Sequence, residues 1–247
     1  MEYKDRFYRK SYLQNDLIHF QAVIAETDLN IGINKDNYSK ELELFTKILI
    51  KDIRSPLEEY IKKDPKFLTA LEPYNLLFGA PPIAKIMAEA GFAVNVGPMA
   101  SVAGAISEAV GKVLIERCRE VIVENGGDIY MKTAKKRRVG IFAGESVLSN
   151  RLAIEIEPEQ TPIGICTSSA KVGPSLSFGN TDAVAVLAKS AALADAAATA
   201  CGNIVKTADD LEKALNFANS IKSIHGILII IGDHLGVRGN LKLVNLL

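Results

Sequence analysis

Residues 119–133 read REVIVENGGDIYMKT, and this stretch decides the fold class. It contains two strand-like segments, 119–124 and 128–133, joined through Asn125 and Gly126. An Asn-Gly pair between such segments is a strong signal for a tight β-hairpin, because both residues tolerate positive φ. The stretch therefore predicts two neighbouring antiparallel strands in the middle of the chain.

The segments before this hairpin combine one strand pattern with several helical ones. Apolar and polar residues alternate on both sides of Asn15 and Asp16, which predicts an amino-terminal hairpin with strands 6–14 and 17–27. Helical spacing of apolar residues follows in three segments, 39–62, 81–90 and 99–117. The first half of the chain is therefore predicted to run from strands through helices back to strands.

The second half shows the same order of elements. Strands are predicted near 151–157, 163–167, 182–188, 227–232 and 241–245, with helices over 190–201 and 208–221 between them. Strands and helices come in separate runs, which is typical of an α+β fold with mainly antiparallel sheets flanked by helices. The repeated order also predicts a single domain, 1–247, made of two related halves, about 1–145 and 146–247.

The composition and the first residues of the chain indicate which binding partners and which cellular location to expect. The 247 residues are 48% hydrophobic and 23% charged, with 29 basic and 29 acidic side chains, as in an ordinary globular protein. Binding to nucleic acid or to an anionic membrane needs clustered Lys and Arg, so neither partner is expected. Residues 1–16 lack the apolar core of a signal peptide, which predicts a cytoplasmic protein. The three cysteines are far apart in sequence and are expected to be buried, reduced thiols.

Two segments of the chain are poor in charge and are predicted to be enclosed. They are residues 76–115 and 160–207. Within them, 97–110 and 190–201 are helical stretches lined with Ala, Gly and Ser, and we expect these two to lie against each other or against one shared cleft.

The helix predicted over 190–201, SAALADAAATAC, contains a candidate metal site. Asp195 and Thr199 stand four residues apart on one helical face, and no basic residue lies one turn away to neutralise the carboxylate. A carboxylate, a hydroxyl and a backbone carbonyl are oxygen ligands suited to Mg²⁺, which also binds substrate phosphates. The alternative is that Asp195 faces water or caps a neighbouring helix.

Two further segments have both a structural and a binding interpretation. In residues 124–128, the glycines either close the hairpin or expose backbone amides to a ligand, with Asp128 accepting from a ribose or base. Residues 166–169, followed by Lys171, Gly173 and Ser175, either form an ordinary small-residue loop or cradle phosphates. Signatures of a P-loop, a dinucleotide-binding Rossmann turn, a nucleophile elbow and a zinc cluster are absent from the sequence.

Four motifs taken in order resemble the ApbE-related superfamily. They are GPMASVAGAISEAV (97–110), VENGGDIY (123–130), ICTSSAKVGPSLSFGNTDAV (165–184) and SAALADAAATACGN (190–203). The similarity covers about residues 75–205 and is greatest to a branch without a leader sequence. The better-known members are Mg²⁺-dependent FAD:protein FMN transferases, so the resemblance implies a duplicated T-fold-like unit.

The resemblance also implies roles for individual residues. It places the metal ligands at Asp195 and Thr199, with a backbone carbonyl near Ala103 as the third. It places the FAD nucleotide near four residues of the hairpin and the diphosphate near two residues of the following strand: Asn125, Gly126, Gly127, Asp128, Thr167 and Ser168.

The sequence departs from the transferases at three positions. Pro174 and Ser177 stand where the transferases have the His and Asp of a His-x-x-Asp-Pro element, and Gly104 stands where they have a Lys. The catalytic element is therefore expected to be replaced.

Three hypotheses for the function follow. One is an enzyme that uses Mg²⁺ to deliver FMN from FAD to a hydroxyl or to water, and the second is a binding protein for a flavin or another phosphorylated cofactor without turnover. The third is a purely structural role for the small residues in helix packing within a homo-oligomer.

Overall fold

An eight-stranded antiparallel sheet forms the centre of the molecule in the computed structural model, which describes residues 9, 14–171 and 177–246. Its strands are β1 (Leu17–Ile24), β2 (Thr27–Asn34), β3 (Val121–Asn125), β4 (Asp128–Lys132), β7 (Ile163–Ser168), β8 (Ala183–Ala188), β9 (Ile224–Ile231) and β10 (His234–Gly239), and they are adjacent in this order. A second, three-stranded sheet has the order β11 (Lys242–Asn245), β6 (Leu152–Ile156) and β5 (Arg137–Gly140).

Six α-helices connect the strands of the large sheet. Four lie between β2 and β3, namely α1 (Lys40–Lys63), α2 (Pro65–Thr69), α3 (Pro82–Val94) and α4 (Val102–Ile115), and two lie between β8 and β9, namely α5 (Ala191–Ile204) and α6 (Leu211–Ser220). The predicted α+β class with mainly antiparallel sheets is confirmed. Each group of four strands has its helices between the second and third strand, which is consistent with two related halves; their duplication stays a prediction.

The large sheet is covered on both faces, so the molecule has three layers in its central part. Val184, Val186 and Ile229 belong to the core under the helices, whereas Ala185, Leu187 and Leu228 belong to a second core shared with the small sheet. Successive side chains of a strand point to opposite faces, so β8 and β9 must be apolar on both sides. This explains the continuous apolar runs AVAVLA and ILIII.

The hairpin over 119–133 is confirmed, with one change in the turn. Asn125 pairs with Asp128, so the two loop residues are Gly126 and Gly127 rather than Asn125 and Gly126. Both glycines have positive φ, +70° and +105°, as a two-residue hairpin loop requires.

The first strand of the predicted amino-terminal hairpin, 6–14, lies largely outside the described residues, which include only Arg9 and Gln14 of it. The predicted second strand is present as β1, which ends at Ile24 and pairs with β2 across Ala25 and Glu26. Strand β2, TDLNIGIN, is buried on both faces and so lacks the alternation by which a half-exposed strand is recognised. Strands β5 and β10 were also not predicted, because RRVG and HLGVRG become strands through pairing with β6 and β9.

The two charge-poor helices pack directly on each other, as expected. A Cβ atom added to Gly104 of α4 would lie 2.3 Å from the carbonyl oxygen of Ala191 and 2.8 Å from Cβ of Asp195, both in α5. Pro98–Ile115 is the one helical stretch in the described residues that is long and apolar enough to cross a membrane, and 56% of it is buried inside the molecule. Its composition is explained by this position in the core.

We predict that replacing Gly104 with Ala destabilises the protein by about 1–3 kcal/mol, the usual cost of forcing an extra carbon into a packed core. Gly202 of α5 is the matched control, since a Cβ there would meet its neighbours at 3.5 Å or more. Gly202→Ala should be neutral or stabilising by up to about 1 kcal/mol through helix propensity. Urea unfolding of both variants measures the difference, and equal stabilities would contradict the close approach of α4 to α5.

A buried carboxylate holds the three strands of the small sheet together. Glu155 of β6 lies opposite Arg138 of β5 and Lys242 of β11, and its side chain is 4% exposed. Its oxygens contact the Lys242 ammonium at 2.7 Å, the Arg138 guanidinium at 3.3 Å and the Lys136 ammonium at 3.3 Å. The bond from Lys242, aided by Lys136 and Arg138, outweighs burial and lowers the pKa of Glu155 to about 2.

The stabilisation by Glu155 should therefore depend on pH. Because the folded-state pKa lies below the ordinary value of 4.5, the contribution is present above pH 4.5 and is lost as the pH falls toward about 2. The difference in unfolding free energy between wild type and Glu155→Gln should shrink over this window in urea titrations. The same substitution at the exposed Glu159 is the control, and a constant difference for Glu155→Gln would contradict the prediction.

Candidate functional site at the junction of the hairpin, α4 and α5

The end of the β3–β4 hairpin is held by its own side chains. Asn125 and Asp128 form the last strand pair and are buried, and the Gly127 N–H donates to Oε1 of Glu124 at 2.9 Å. A Cβ on Gly127 would lie 3.7 Å from the carbonyl oxygen of Thr167, so this turn lies beside β7. The two glycines thus bring backbone without side chains to the ends of three neighbouring strands.

Hydrogen bonds connect this hairpin to both charge-poor helices. Nδ2 of Asn125 donates to the carbonyl oxygen of Ala103 at 3.2 Å, and the next N–H along α4, that of Gly104, donates to Oδ2 of Asp195 at 2.9 Å. The first turn of α4 therefore bridges the hairpin and α5. Three predicted site residues that are far apart in sequence meet here, because Gly104 lets the two helices approach closely. They are Ala103, Asn125 and Asp195.

Asp128 is the most unusual polar group of this junction. Its residue is 7% exposed, and its Oδ1 atom has no hydrogen-bond partner in the part of the chain that the structure describes. Burial raises the pKa of Asp128 well above its ordinary value and the charge of Asp195 raises it further, against opposing bonds from the Cys166 thiol and the Thr167 backbone.

Asp195 is the second carboxylate of the junction. It is partly exposed, and burial raises its pKa to about 7 although the backbone N–H groups of Gly104 and Ala103 oppose the shift. The sequence left open whether Asp195 is an unpaired charge or caps a neighbouring helix, and the structure shows the capping contact, a backbone donor at 2.9 Å in the first turn of α4. Asp128 and Asp195 thus form a pair of like charges in a poorly solvated place, which favours proton or cation binding.

The remaining predicted residues lie on the elements next to this carboxylate pair. Thr199 is partly exposed and lies one turn after Asp195 on α5, with Gly202 a further turn along the same face. Ser168 packs against that face, because its Oγ lies 3.9 Å from a Cβ built on Gly202. The structure therefore places the residues of the predicted site on four adjoining elements, the β3–β4 hairpin, the end of β7, the first turn of α4 and α5: Ala103, Asn125, Gly126, Gly127, Asp128, Thr167, Ser168, Asp195 and Thr199.

The groups at this junction that could bind a cation are oxygen ligands. It offers the carboxylates of Asp128 and Asp195, the Thr199 hydroxyl and the Ala103 carbonyl, which are ligand types that Mg²⁺ accepts. Among the described residues, no three His, Cys, Asp or Glu side chains converge as a metal-binding group. A cation here would therefore depend on mixed protein oxygens together with water or ligand phosphates.

Other residues of the suggested phosphate loop are placed elsewhere or are not described. Lys171 forms an ion pair with Asp182 at 2.7 Å, so its charge is already compensated. Ser177 lies near the end of α5, where the neighbouring Phe178 N–H donates to Asn203 at 2.8 Å. Gly173, Pro174 and Ser175 lie outside the described residues.

Two residues of the junction, Glu124 and Cys166, have roles that the sequence motifs did not predict. Glu124 accepts from the hairpin turn, and the buried Cys166 donates to the Ala191 carbonyl at 3.2 Å and contacts Asp128. A signal existed for Glu124, since an acidic side chain directly follows the apolar residues VIV of β3. Cys166 carries no comparable signal, because a buried cysteine commonly fills space in a core.

Comparison with known sequences places this arrangement in a family. A family profile described as "AbpE bacteria" matches residues 9–237, which includes every residue of the junction. The chain belongs to this family. It is 43% identical over 227 residues to a UPF0280 protein of Methanococcus maripaludis strain C7, covering 90% of this chain and 91% of that protein. A UPF0280 protein of Methanocaldococcus jannaschii is 42% identical over 226 residues, covering 90% of both chains.

Solved structures of ApbE proteins share the fold. The flavin transferase ApbE from Vibrio cholerae superposes with a TM-score of 0.56 at 17% identity, covering 90% of this chain and 96% of that one. The ApbE protein from Thermotoga maritima superposes with a TM-score of 0.55 at 15% identity, covering 91% and 97%. The ApbE-related superfamily expected from the four motifs is confirmed, and the same fold extends across nearly the whole chain.

The carboxylate pair predicts how stability varies with pH in metal-free protein. Since the folded-state pKa of Asp195 is about 7 and its ordinary value is 3.8, the folded state holds a proton that the unfolded state has lost between these values. Stability should therefore fall as the pH rises from 3.8 to about 7 and then level off. In thermal unfolding with EDTA, Asp195→Asn should make this fall shallower. The exposed Asp209 supplies the control substitution, and identical slopes for all three proteins would refute the assignment.

Proposed function

We propose that this protein binds a flavin dinucleotide together with a divalent cation at the junction of the β3–β4 hairpin, α4 and α5. One observation carries the proposal: the buried Asp128 has an oxygen without a hydrogen-bond partner in the described residues, and its charge interacts unfavourably with that of Asp195. Burying two like charges is costly unless a cation or a proton compensates them.

The residues present fit a hard cation. Asp195, Thr199 and the carbonyl oxygen of Ala103 would hold it, and the charge of Asp128 would be compensated from nearby. The bond from Nδ2 of Asn125 to the Ala103 carbonyl orients that oxygen at the start of α4, and a cation bound to this oxygen would take the place of that bond. When bound, Mg²⁺ supplies charge neutralisation for a diphosphate.

The hairpin and β7 suit the nucleotide part of such a ligand. Gly126 is exposed and Gly127 is half-buried, and Thr167 lies beside Gly127. Ser168 adds a hydroxyl against α5 at Gly202, three residues after Thr199. Asn125 and Asp128 contribute the amide and carboxylate that can bond to a ribose or base.

The flavin part of the proposal is supported by similarity of fold. The Vibrio cholerae protein with this architecture is named a flavin transferase, and the family match covers residues 9–237. Fold alone does not establish chemistry, so the proposal rests on the oxygen donors and the orphaned carboxylate described above.

Turnover is a separate matter from binding. The resemblance placed a catalytic His and Asp where this sequence has Pro174 and Ser177, and neither Pro nor Ser replaces the acid–base chemistry of those groups. We therefore propose binding of FAD with Mg²⁺ as the primary function, with transfer of FMN or hydrolysis to AMP and FMN as an activity to be measured. A carrier or sensor of the same ligand is the alternative.

We predict that calorimetric titration with FAD shows binding that requires Mg²⁺ and disappears in EDTA. Asp195→Asn and Thr199→Val should weaken the Mg²⁺-dependent binding, the former by about tenfold or more, because a charge-assisted contact contributes about 1.5–3 kcal/mol. Asp209→Asn, an exposed substitution of the same kind, should bind as the wild type does.

Two results would overturn parts of this proposal. Equal affinities with Mg²⁺ and with EDTA would remove the cation site, and the absence of binding to FAD, FMN and ADP would remove the flavin ligand. Chromatography of the same mixtures for AMP and FMN decides between a binding protein and an enzyme.

A further inference from the structure

An arginine from the segment ahead of β1 lies against the back of the β3–β4 hairpin. Nε of Arg9 donates to Oε2 of Glu124 at 2.6 Å, while Nη1 and Nη2 donate to Oδ1 and the carbonyl oxygen of Asp28 at 2.9 and 2.8 Å. The Arg9 and Glu124 side chains are each 11% exposed and that of Asp28 is 4% exposed. The three charges are therefore largely removed from water, and charge-assisted hydrogen bonds are stronger in such a poorly solvated place than in water.

Glu124 connects this ion pair to the hairpin turn. Its Oε2 accepts from Arg9, while its Oε1 accepts from the N–H of Gly127 at 2.9 Å. Gly127 has a φ of +105° and few steric restraints of its own, so the turn depends on contacts such as this one for its position. A chain of two hydrogen bonds thus runs from Arg9 to the backbone of the candidate nucleotide site.

Loss of the Arg9 charge would act directly on that chain. Glu124 and Asp28 lie on neighbouring strands and both bind this guanidinium, so its loss would remove an attraction that opposes the repulsion between their two largely buried carboxylates. The Glu124 side chain would then turn toward solvent or take up a proton, and in either case its bond to the Gly127 N–H would be weakened.

A second cluster of one arginine and two carboxylates lies at the opposite end of β3 and provides a control. Arg137, whose side chain is 5% exposed, binds Glu120 at 2.8 Å and Asp16 at 2.6 Å. Like the first cluster it contains one buried arginine and two carboxylates, and one of these directly precedes β3. Within the described part of the chain, the bonds of the Arg137 cluster involve Thr133, Lys135 and Gln14, and none of them reaches the hairpin turn.

We propose that Arg9 is a positioning residue for the hairpin assigned to the nucleotide, acting through Glu124 on Gly127, so that this one side chain ahead of β1 raises ligand affinity. This inference rests on the proposed function, because it assigns ligand binding to residues 125–128. It assigns to Arg9 no contact with the ligand itself.

The test compares Arg9→Met with Arg137→Met in the full-length protein. Met has a similar length without charge, so each variant removes one buried guanidinium. Both should lower the unfolding free energy in urea, whereas Arg9→Met alone should lower Mg²⁺-dependent FAD affinity, by about tenfold, at a temperature where circular dichroism shows both variants folded. Arg9→Lys, which keeps the charge but not the fork of donors, should fall between wild type and Arg9→Met.

A second measurement does not depend on the ligand. Hydrogen exchange of the amide groups in the segment 124–128 should be faster in Arg9→Met than in wild type and unchanged in Arg137→Met. If wild type binds no FAD, the proposed function fails, while faster exchange would still support the positioning of the turn by Arg9. If wild type binds FAD and folded Arg9→Met binds it equally, or if exchange is unchanged, the inference about Arg9 is wrong and the proposed function stands.

Discussion

The close contact between α4 and α5 at Gly104 is the constraint on which the rest of the site depends. A side chain at this position would overlap the Ala191 carbonyl, so only glycine lets the two helices approach to this distance. The approach brings the Gly104 N–H within 2.9 Å of Asp195 and places the neighbouring Ala103 carbonyl beside the hairpin. Gly104 thus allows the two helices to pack closely and also brings the polar groups of the junction together.

The large sheet places a second constraint on the site, because it buries the polar side chains that lie between it and the helices. Its central strands are buried on both faces, so polar side chains between sheet and helices must find partners or remain costly. Cys166 and Asn125 have backbone carbonyls to bond, at Ala191 and Ala103 respectively, but Oδ1 of Asp128 has none in the described residues. Natural cores rarely retain such a group, and those that do commonly use it for binding or catalysis.

Charge is arranged differently on the two sides of this junction. On the helix side, no cationic side chain of the described residues contacts Asp128 or Asp195, whereas Arg9 pairs with Glu124 and Asp28 at the back of the hairpin. Compensated charges fix a position, while uncompensated ones favour a cation or a proton from outside. Residues 124–128 lie between these two environments, so one side of the hairpin is held by compensated charges while the other side carries the orphaned carboxylate of Asp128.

Local patterns in the sequence determined much of this protein. The helical periodicity predicted α1, α3, α4, α5 and α6, the Asn-Gly pair predicted the central hairpin, and the spacing of Asp195 and Thr199 predicted one face of the candidate site, since each depends on residues close in the chain. The pairing of β1 with β2, the strands β5 and β10, and the meeting of Asp128 with Asp195 were decided only by the tertiary structure. These features depend on contacts between residues distant in sequence. A strand that is buried on both faces lacks the alternation of apolar and polar residues by which strands are recognised. The distance between the two helices is set by the missing Cβ of a glycine and not by a sequence motif.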